Sequence, residues 1–495
     1  MNCVYMHKNT ALYFNSIRKS MKRAIIILII LSAFRCEAQV NIGIPGIEQV
    51  VKTFFSHYQL NPEAESYITF EKKQAGWYVG TVNYTTGTQV EPSHLFWNKA
   101  TASYENLPYN ERNDPDSTVI KNEVNSYMNG HLDEATLYNY QRNLFYGYDN
   151  WDWDVIVNLQ NKSNLTDTLL ETLARAYSSY AINYFYPQYG LSSTNNDSDR
   201  IKLKDSEPIS ISRAKKFVHY ENLAIATYQQ LKALNPLYET KVGNIATKMA
   251  GEHMFAWSTL KFNGFENDAT RYLTGVSYPD SILQKAKNML QEIKPNSIFF
   301  TWGDNVTYPV WYLQSQGIRN DVIALDYTLI SLRRVLKYLD KKYNYSLFAI
   351  DSAVYLSPMF DYALYQSEYA SDKEITLDSF LNRLYGSNTL QSITAKNKTT
   401  YYTDDSSFKY FHKKVYMPVN TSKAQKLYGM KRFYGKIYLP MEKHYLFMNE
   451  MIAFAISSRN FLKKHIYFSF ETETKNKMNG IVKRSLVWEL TPVIE

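Results

Sequence analysis

Apolar residues first recur at helical spacing in "GIEQVVKTFFSHYQL", where Ile47, Val50, Val51, Phe54, Phe55 and Tyr58 define one face. The period then shortens. Residues 65–109 are rich in Tyr, Thr, Val and Trp, with turn clusters at Gln74-Ala75-Gly76 and Thr86-Gly87-Thr88, a pattern that predicts a small antiparallel meander. Residues 108–135 are polar, carry Pro, Asn and Asp, and read as a connection. From about 135 to 294 the helical period returns. "DTLLETLARAYSSYAINYF" places Leu169, Leu170, Leu173, Ala176, Tyr177, Tyr180 and Ala181 on one stripe, and "SRAKKFVHYENLAIATYQQLKALNP" and "GNIATKMAGEHMFAWSTLKF" continue the spacing. At 296 the pattern changes again: "NSIFF" and "DVIALD" are short buried strands, each followed by a helical segment. Strand-helix-strand-helix at this interval implies parallel pairing. Beyond it "ITLDSFLNRLYG" and "NEMIAFAISSRNFL" read as helices, "HIYFSFETE" and "RSLVWEL" as strands.

The fold class expected is therefore α+β and multidomain. A small β-containing module spans 39–134, a helical-hairpin array 135–294, and a Rossmann-like α/β domain with a mixed extension 295–495. Residues 1–38 read as an export signal: Lys22 and Arg23 precede an apolar run from Ala24 to Leu31, and small residues Cys36 and Ala38 are placed for cleavage before Gln39. Translation from Met21 fits the same pattern. Cleavage would leave a protein in the periplasm or cell envelope with no cysteine, since Cys3 and Cys36 both lie in the leader. Beyond the leader no apolar run is long enough to span a bilayer.

Charge changes the picture little. Of the formal +8, the first 38 residues carry six basic and one acidic side chain, so the remainder carries +3, too little to indicate a nucleic-acid partner. The 43 tyrosines suit either an amphipathic surface for sugars or peptides, or packing within helices. Nine scattered histidines show no His-x-His or His-Glu-x-x-His, and no metal site is expected. Walker, dinucleotide and G-x-S-x-G signatures are missing, so no cofactor is expected.

Candidate chemistry concentrates in "IFFTWGDNVTYPVWYL". An apolar run stops at Gly303, and Asp304, Asn305 and Thr307 follow. These oxygens either cap a helix beginning near Thr307, or stand free at the carboxyl edge of a parallel sheet. In the second case Asp326, ending the next strand, shares that edge, with Trp302 or Tyr308 as a stacking face for a sugar. Two weaker candidates remain. Asp149, Asp152 and Asp154 lie among aromatics and suit a carbohydrate, calcium, or simply a turn with helix caps. From Ser406 to Met441 eight basic residues occur without an acid, among them Lys413, Lys414, Lys431 and Arg432, which suits an anionic glycan, a phosphate-bearing lipid, an acidic partner, or a solvated face.

"IFFTWGDNVTYPVWYLQSQGIRNDVIALD" also resembles a motif, roughly F-T-N-G-D-N-D-T-F-P-L-W-Y followed by G-x-R-x-D-V. That motif belongs to the soluble carboxyl-terminal region of bacterial membrane proteins resembling protein O-mannosyltransferases. Thr301, Gly303, Asp304, Asn305, Thr307, Pro309, Trp311, Tyr312, Gln314, Gly317, Arg319, Asp321 and Val322 match it. "NEMIAFAISSRNFLKKHIYF" resembles the second motif of that family through Asn449, Asn460, Ile466, Tyr467 and Phe468. The resemblance implies shared ancestry over roughly 290–470. It departs at Val306, where the family has a second acid, and at Ala455, Leu462, Lys464 and His465, where it has an acid, Trp, Arg and Pro. The family's membrane bundle has no counterpart here, so the resemblance does not carry glycosyl transfer with it. Ala224, Tyr228, Leu231 and Pro236 resemble half of a tetratricopeptide repeat. The function expected is an envelope binding or scaffold protein for a glycan or partner protein. The alternative is an enzyme acting on cell-surface saccharides with Asp304 as general acid or base.

Overall fold

The protein is described from a computed structural model. It covers residues 44–494 except 60–65, 84–92, 114–115, 131, 133, 143–145, 149, 187–196, 201–202, 204–206, 345–346, 349, 357–361, 365–370, 387–392, 395–399, 402–411, 440–444 and 471–479. The chain is mixed α+β and divides into two compact units, Met1–Tyr148 and Asp149–Glu495. The segment read as an export signal and both cysteines lie outside the described residues, as do Asp149 and the turn at Thr86-Gly87-Thr88. Among the described residues no helix is long and apolar enough to cross a membrane.

In the first unit, helix α1 (Ile47–His57) buries Ile47, Val50, Val51, Phe54 and Phe55. Strands β1 (Ser66–Lys73), β2 (Gly76–Asn83), β3 (His94–Asn98) and β4 (Ser103–Tyr104) form an antiparallel meander in that order. Phe54 is the hub of its core, with Phe70, Phe96 and Tyr109 edge-on at 5.3, 5.8 and 5.5 Å. Alternation along β1 turns Ile68, Phe70 and Lys72 inward. The stretch read as a polar connection contains helix α2 (Ser117–Gly130), which corrects that expectation. Ile120, Val124 and Tyr127 recur at helical spacing and are buried, while Val119 faces out, and the Tyr127 hydroxyl accepts from Phe70 N at 3.2 Å.

The second unit opens with helices α3 (Trp151–Leu159), α4 (Asp167–Ile182), α5 (Ile211–Leu234) and α6 (Ile245–Phe262), each packed on the next. Thr166, Ser210 and Asn244 cap α4, α5 and α6 through their side chains. Ala224, Tyr228 and Leu231 are fully buried, and Tyr228 and Leu231 share a core with Leu170, Ala174 and Ile245.

Helix α7 (Asp280–Glu292) then leads into strand β5 (Ile298–Thr301), helix α8 (Asp304–Ser315) and strand β6 (Ile323–Asp326). β5 and β6 pair in parallel, with Thr301 opposite Asp326. β10 (Ile466–Phe468) pairs in parallel with the other side of β5, placing Ile466 opposite Ile298. β12 (Trp488–Leu490) and β11 (Ile481–Lys483) extend the sheet antiparallel, giving the order β11-β12-β10-β5-β6. A separate sheet of β7 (Ser371–Thr376), β8 (His412–Pro418) and β9 (Lys436–Leu439) carries part of the mixed extension. β5 is buried on both faces, as a central parallel strand must be. Ile298 and Phe300 point into the core built on helix α9 (Met448–Asn460), and Phe299 into the core built on α7 and α8.

Candidate functional site

The polypeptide leaves β5 at Thr301 and turns through Gly303, whose φ of 82° lies in the left-handed region. No atom crowds the position where a Cβ would stand, so glycine is required there by conformation alone. Gly303 is the N-cap residue and Asp304 the first residue of α8, and no side chain caps this helix. The capping role expected for the Asp304, Asn305 and Thr307 oxygens is thus corrected. The helix starts three residues earlier than the sequence suggests, which makes Asp304 its first residue and leaves the N-cap position to Gly303, which has no side chain to cap with.

The motif residues divide by what they hold. Thr307 is fully buried, donates to Asp326 Oδ2 at 2.6 Å and lies 2.9 Å from Thr301 Oγ1. Asp326 Oδ1 accepts from the Thr328 and Leu329 amides at 2.9 and 2.8 Å, closing the turn after β6. Asn305 Nδ2 donates to Val242 O at 2.7 Å. Trp311 Nε1 donates to Ala324 O at 3.2 Å, and Gln314 Nε2 donates to Val322 O at 2.8 Å. Arg319 donates to Leu290 O in the last turn of α7 and to Ile293 O and Lys294 O just past its end at 3.0 and 3.1 Å, and pairs with Asp321. Tyr308 is buried against Trp311, with ring centroids 6.0 Å apart. These groups assemble the sheet edge.

Three of the residues singled out for ligand contact remain on the outside, Trp302, Asp304 and Asn305, the last with its side-chain amide spent on Val242 O. Trp302 is 58% exposed, its amide donating to Ser469 Oγ at 3.1 Å and its ring edge-on to Phe470 at 5.5 Å. Tyr327 meets Phe470 at 5.0 Å, so three rings line this edge. Asp304 is exposed at the rim, and no hydrogen bond engages its carboxylate among the described residues.

Behind Asp304 lies chemistry absent from the sequence reading. Lys248 and Glu252, one turn apart on α6, form an ion pair. Lys248 also stands 5.2 Å above the Tyr228 ring. Glu221 on α5 is fully buried, and neither of its oxygens has a hydrogen bond of good geometry. Desolvation first, then Glu252, drives the Glu221 carboxyl well above the ordinary range, with Lys248 opposing. Although the outer face of Asp304 is open to water, the protein packed around its inner side raises its carboxyl by partial loss of solvation, with Lys248 opposing and Asp326 and Glu252 adding to the shift. Water at the rim screens those charges. Burial and Asp304 likewise raise the phenols of Tyr278 and Tyr308, keeping both neutral donors. Among the described residues no group of three or more His, Cys, Asp or Glu is arranged to hold a metal ion.

The weaker candidates separate as well. Asp152 is buried and accepts from Arg200 Nη2 at 2.9 Å, the Trp153 amide at 2.8 Å, and Ser179 and Asn183 at 3.3 Å each, which makes it an anchor inside the array. Lys414, Lys431 and Arg432 are exposed, while the Lys413 side chain lies outside the described residues. Lys436 pairs with Glu374.

A family model described as TMEM260-associated domain 2 matches residues 282–493, about two fifths of the chain. The matched span contains all but the first two residues of α7, the whole five-stranded sheet and both sequence motifs. No curated protein and no solved structure matches the chain.

Proposed function

We propose that the protein is an exported envelope binding protein that engages a glycan at the carboxyl edge of the β5-β6 sheet. The observation that carries this reading is the contrast within one motif. Thr307, Asp326, Trp311, Gln314 and Arg319 are all consumed by backbone or carboxylate partners, while Asp304 is held by none and stands on the same edge as an exposed tryptophan. A carboxylate that accepts from sugar hydroxyls, beside an aromatic face that covers the apolar side of the ring, is the minimum a saccharide site needs. In this reading β5-α8-β6 is a Rossmann-like unit whose carboxyl edge carries the ligand, and the tetratricopeptide-like helices supply the wall behind it.

The alternative is an enzyme acting on a cell-surface saccharide. Its support is the raised carboxyl of Asp304 with a second carboxylate, Glu252, close enough to add to that shift. Asp326 is a poor second group, because three hydrogen bonds already occupy it.

The test is a glycan-array and calorimetric screen of the wild-type chain, Asp304→Ala and Trp302→Ala, with melting temperatures recorded. Each replacement should weaken saccharide binding about tenfold or more while leaving the melting temperature unchanged. Binding that survives both replacements sinks the site. Release of reducing sugar from a bound glycan, lost in Asp304→Asn, would favour the enzyme.

A further inference from the structure

At the opposite edge of the same sheet, where β5 and β10 begin, lies a cavity of about 520 Å³. Asn296 lines it from the turn before β5, and Arg459, Asn460, Lys463, Lys464 and His465 from the end of α9 and the turn into β10. No acidic residue lines it. We infer that this cavity is a second ligand site, built for a small molecule that carries a phosphoryl group. The reading is independent of the glycan edge, because Asp304 and the cavity lie at opposite ends of β5.

Three observations carry it. The first is charge that nothing local neutralises. Arg459 and Lys463 are exposed, and no ion pair holds either of them among the described residues. Three fixed positive charges exceed what a single carboxylate neutralises and match a phosphoryl dianion, which also accepts the fork of a guanidinium. The second is rigidity. Lys464 Nζ donates to Asn296 O at 3.1 Å, tying the two walls together. Asn460 Nδ2 donates to Leu347 O and Ile456 O at 2.7 Å, fixing the floor. His465 Nδ1 meets Glu489 Oε1 at 2.9 Å, which sets its tautomer and leaves Nε2 as the remaining ring nitrogen. Glu489 in turn is held by Arg484 at 2.7 Å, so its charge is spent away from the cavity. The third is size: the volume falls within the range of small-molecule sites and accommodates a sugar phosphate rather than a bare ion.

A competing account is that Arg459 and Lys463 only complement the negative end of the α9 dipole. That account is weakened by the carbonyl of Asn460, which the Lys463 and Lys464 amides already engage at 2.9 and 3.0 Å. It predicts a loss of stability, with no effect on binding, when the two cations are removed.

The experiment is titration calorimetry of the full chain with inorganic phosphate and glucose 1-phosphate, alongside flotation with phosphatidylcholine vesicles containing phosphatidic acid. The variants are Arg459→Ala/Lys463→Ala and, as a control for the first site, Asp304→Ala. The expected result is saturable binding of a phosphoryl probe that falls at least about tenfold in the double variant at unchanged melting temperature and is untouched in Asp304→Ala. Binding of the soluble probe assigns the phosphoryl group to a free metabolite, and binding confined to vesicles assigns it to a lipid headgroup. Failure of every probe to bind, or equal binding by the double variant, overturns the site. A double variant that melts lower with binding intact leaves the cations as helix-dipole partners and overturns it equally.

Discussion

Thr307 Oγ1 donates to Asp326 Oδ2 at 2.6 Å, joining the first turn of α8 to the end of the neighbouring strand β6. A motif that looks like a ligand-binding string thus spends two of its polar residues on each other. The contact is buried at both ends, and Asp326 also satisfies two backbone amides. Replacing Thr307 by Val removes one charge-assisted bond and should cost ~1.5–3 kcal/mol. Asp326→Ala should cost more, because it also strands the Thr328 and Leu329 amides. Denaturant unfolding of both variants is the check. Unchanged stability with altered glycan binding would move Asp326 from architecture to ligand contact.

How much of this site could be read beforehand depends on range. The β5-α8-β6 unit was legible because its signals are local: a four-residue apolar run, a glycine that permits the turn, and a helical pattern immediately after it. The residues behind Asp304 were not. Glu221, Lys248 and Glu252 sit on helices that read as ordinary amphipathic segments, where a polar residue off the apolar stripe is taken for a solvated one. α5 packs against α4 on one side and α6 on the other, so Glu221 has no solvent to face. Asp152 was visible as an acid among aromatics, but its partner Arg200 lies far along the chain, where spacing carries no information. Similarly, the phosphoryl-sized cavity joins residues around 296 to residues around 460, brought together only by the parallel pairing of β5 and β10.

Glu221 is the clearest source of pH dependence in the array. Its carboxyl is raised in the folded protein, so from the ordinary glutamate value near 4.5 upward the native state holds a proton that the unfolded chain releases. Stability from this group is therefore complete at low pH and falls as pH rises through that window. Glu221→Gln keeps the shape and cannot ionise. It should match wild type near pH 4 and exceed it by ~1–3 kcal/mol at pH 8. Melting curves of the two proteins across pH 4–8 test this. Parallel curves would mean that Glu221 is ionised and compensated in the fold.

Lys72 offers the same argument with the opposite sign. It occupies an inward position of β1, 2% exposed, with its ammonium 4.6 Å from the Trp77 ring and 5.2 Å from that of Tyr140. The ring faces favour the charge, but burial, assisted by repulsion from Lys99, outweighs them and lowers the amine to about 7. Between about pH 7 and the ordinary lysine value of 10.5 the unfolded chain binds a proton that the native state does not. Stability therefore rises with pH across this window. Lys72→Met preserves volume and removes the titration, so it should stabilise the protein at pH 7 by ~2–4 kcal/mol, an advantage that shrinks toward pH 10. The quantity to follow is the difference in melting temperature between variant and wild type at pH 7, 8, 9 and 10, which cancels the titration of every other group. A difference that does not change with pH would show that the two aromatic faces keep Lys72 charged inside the sheet.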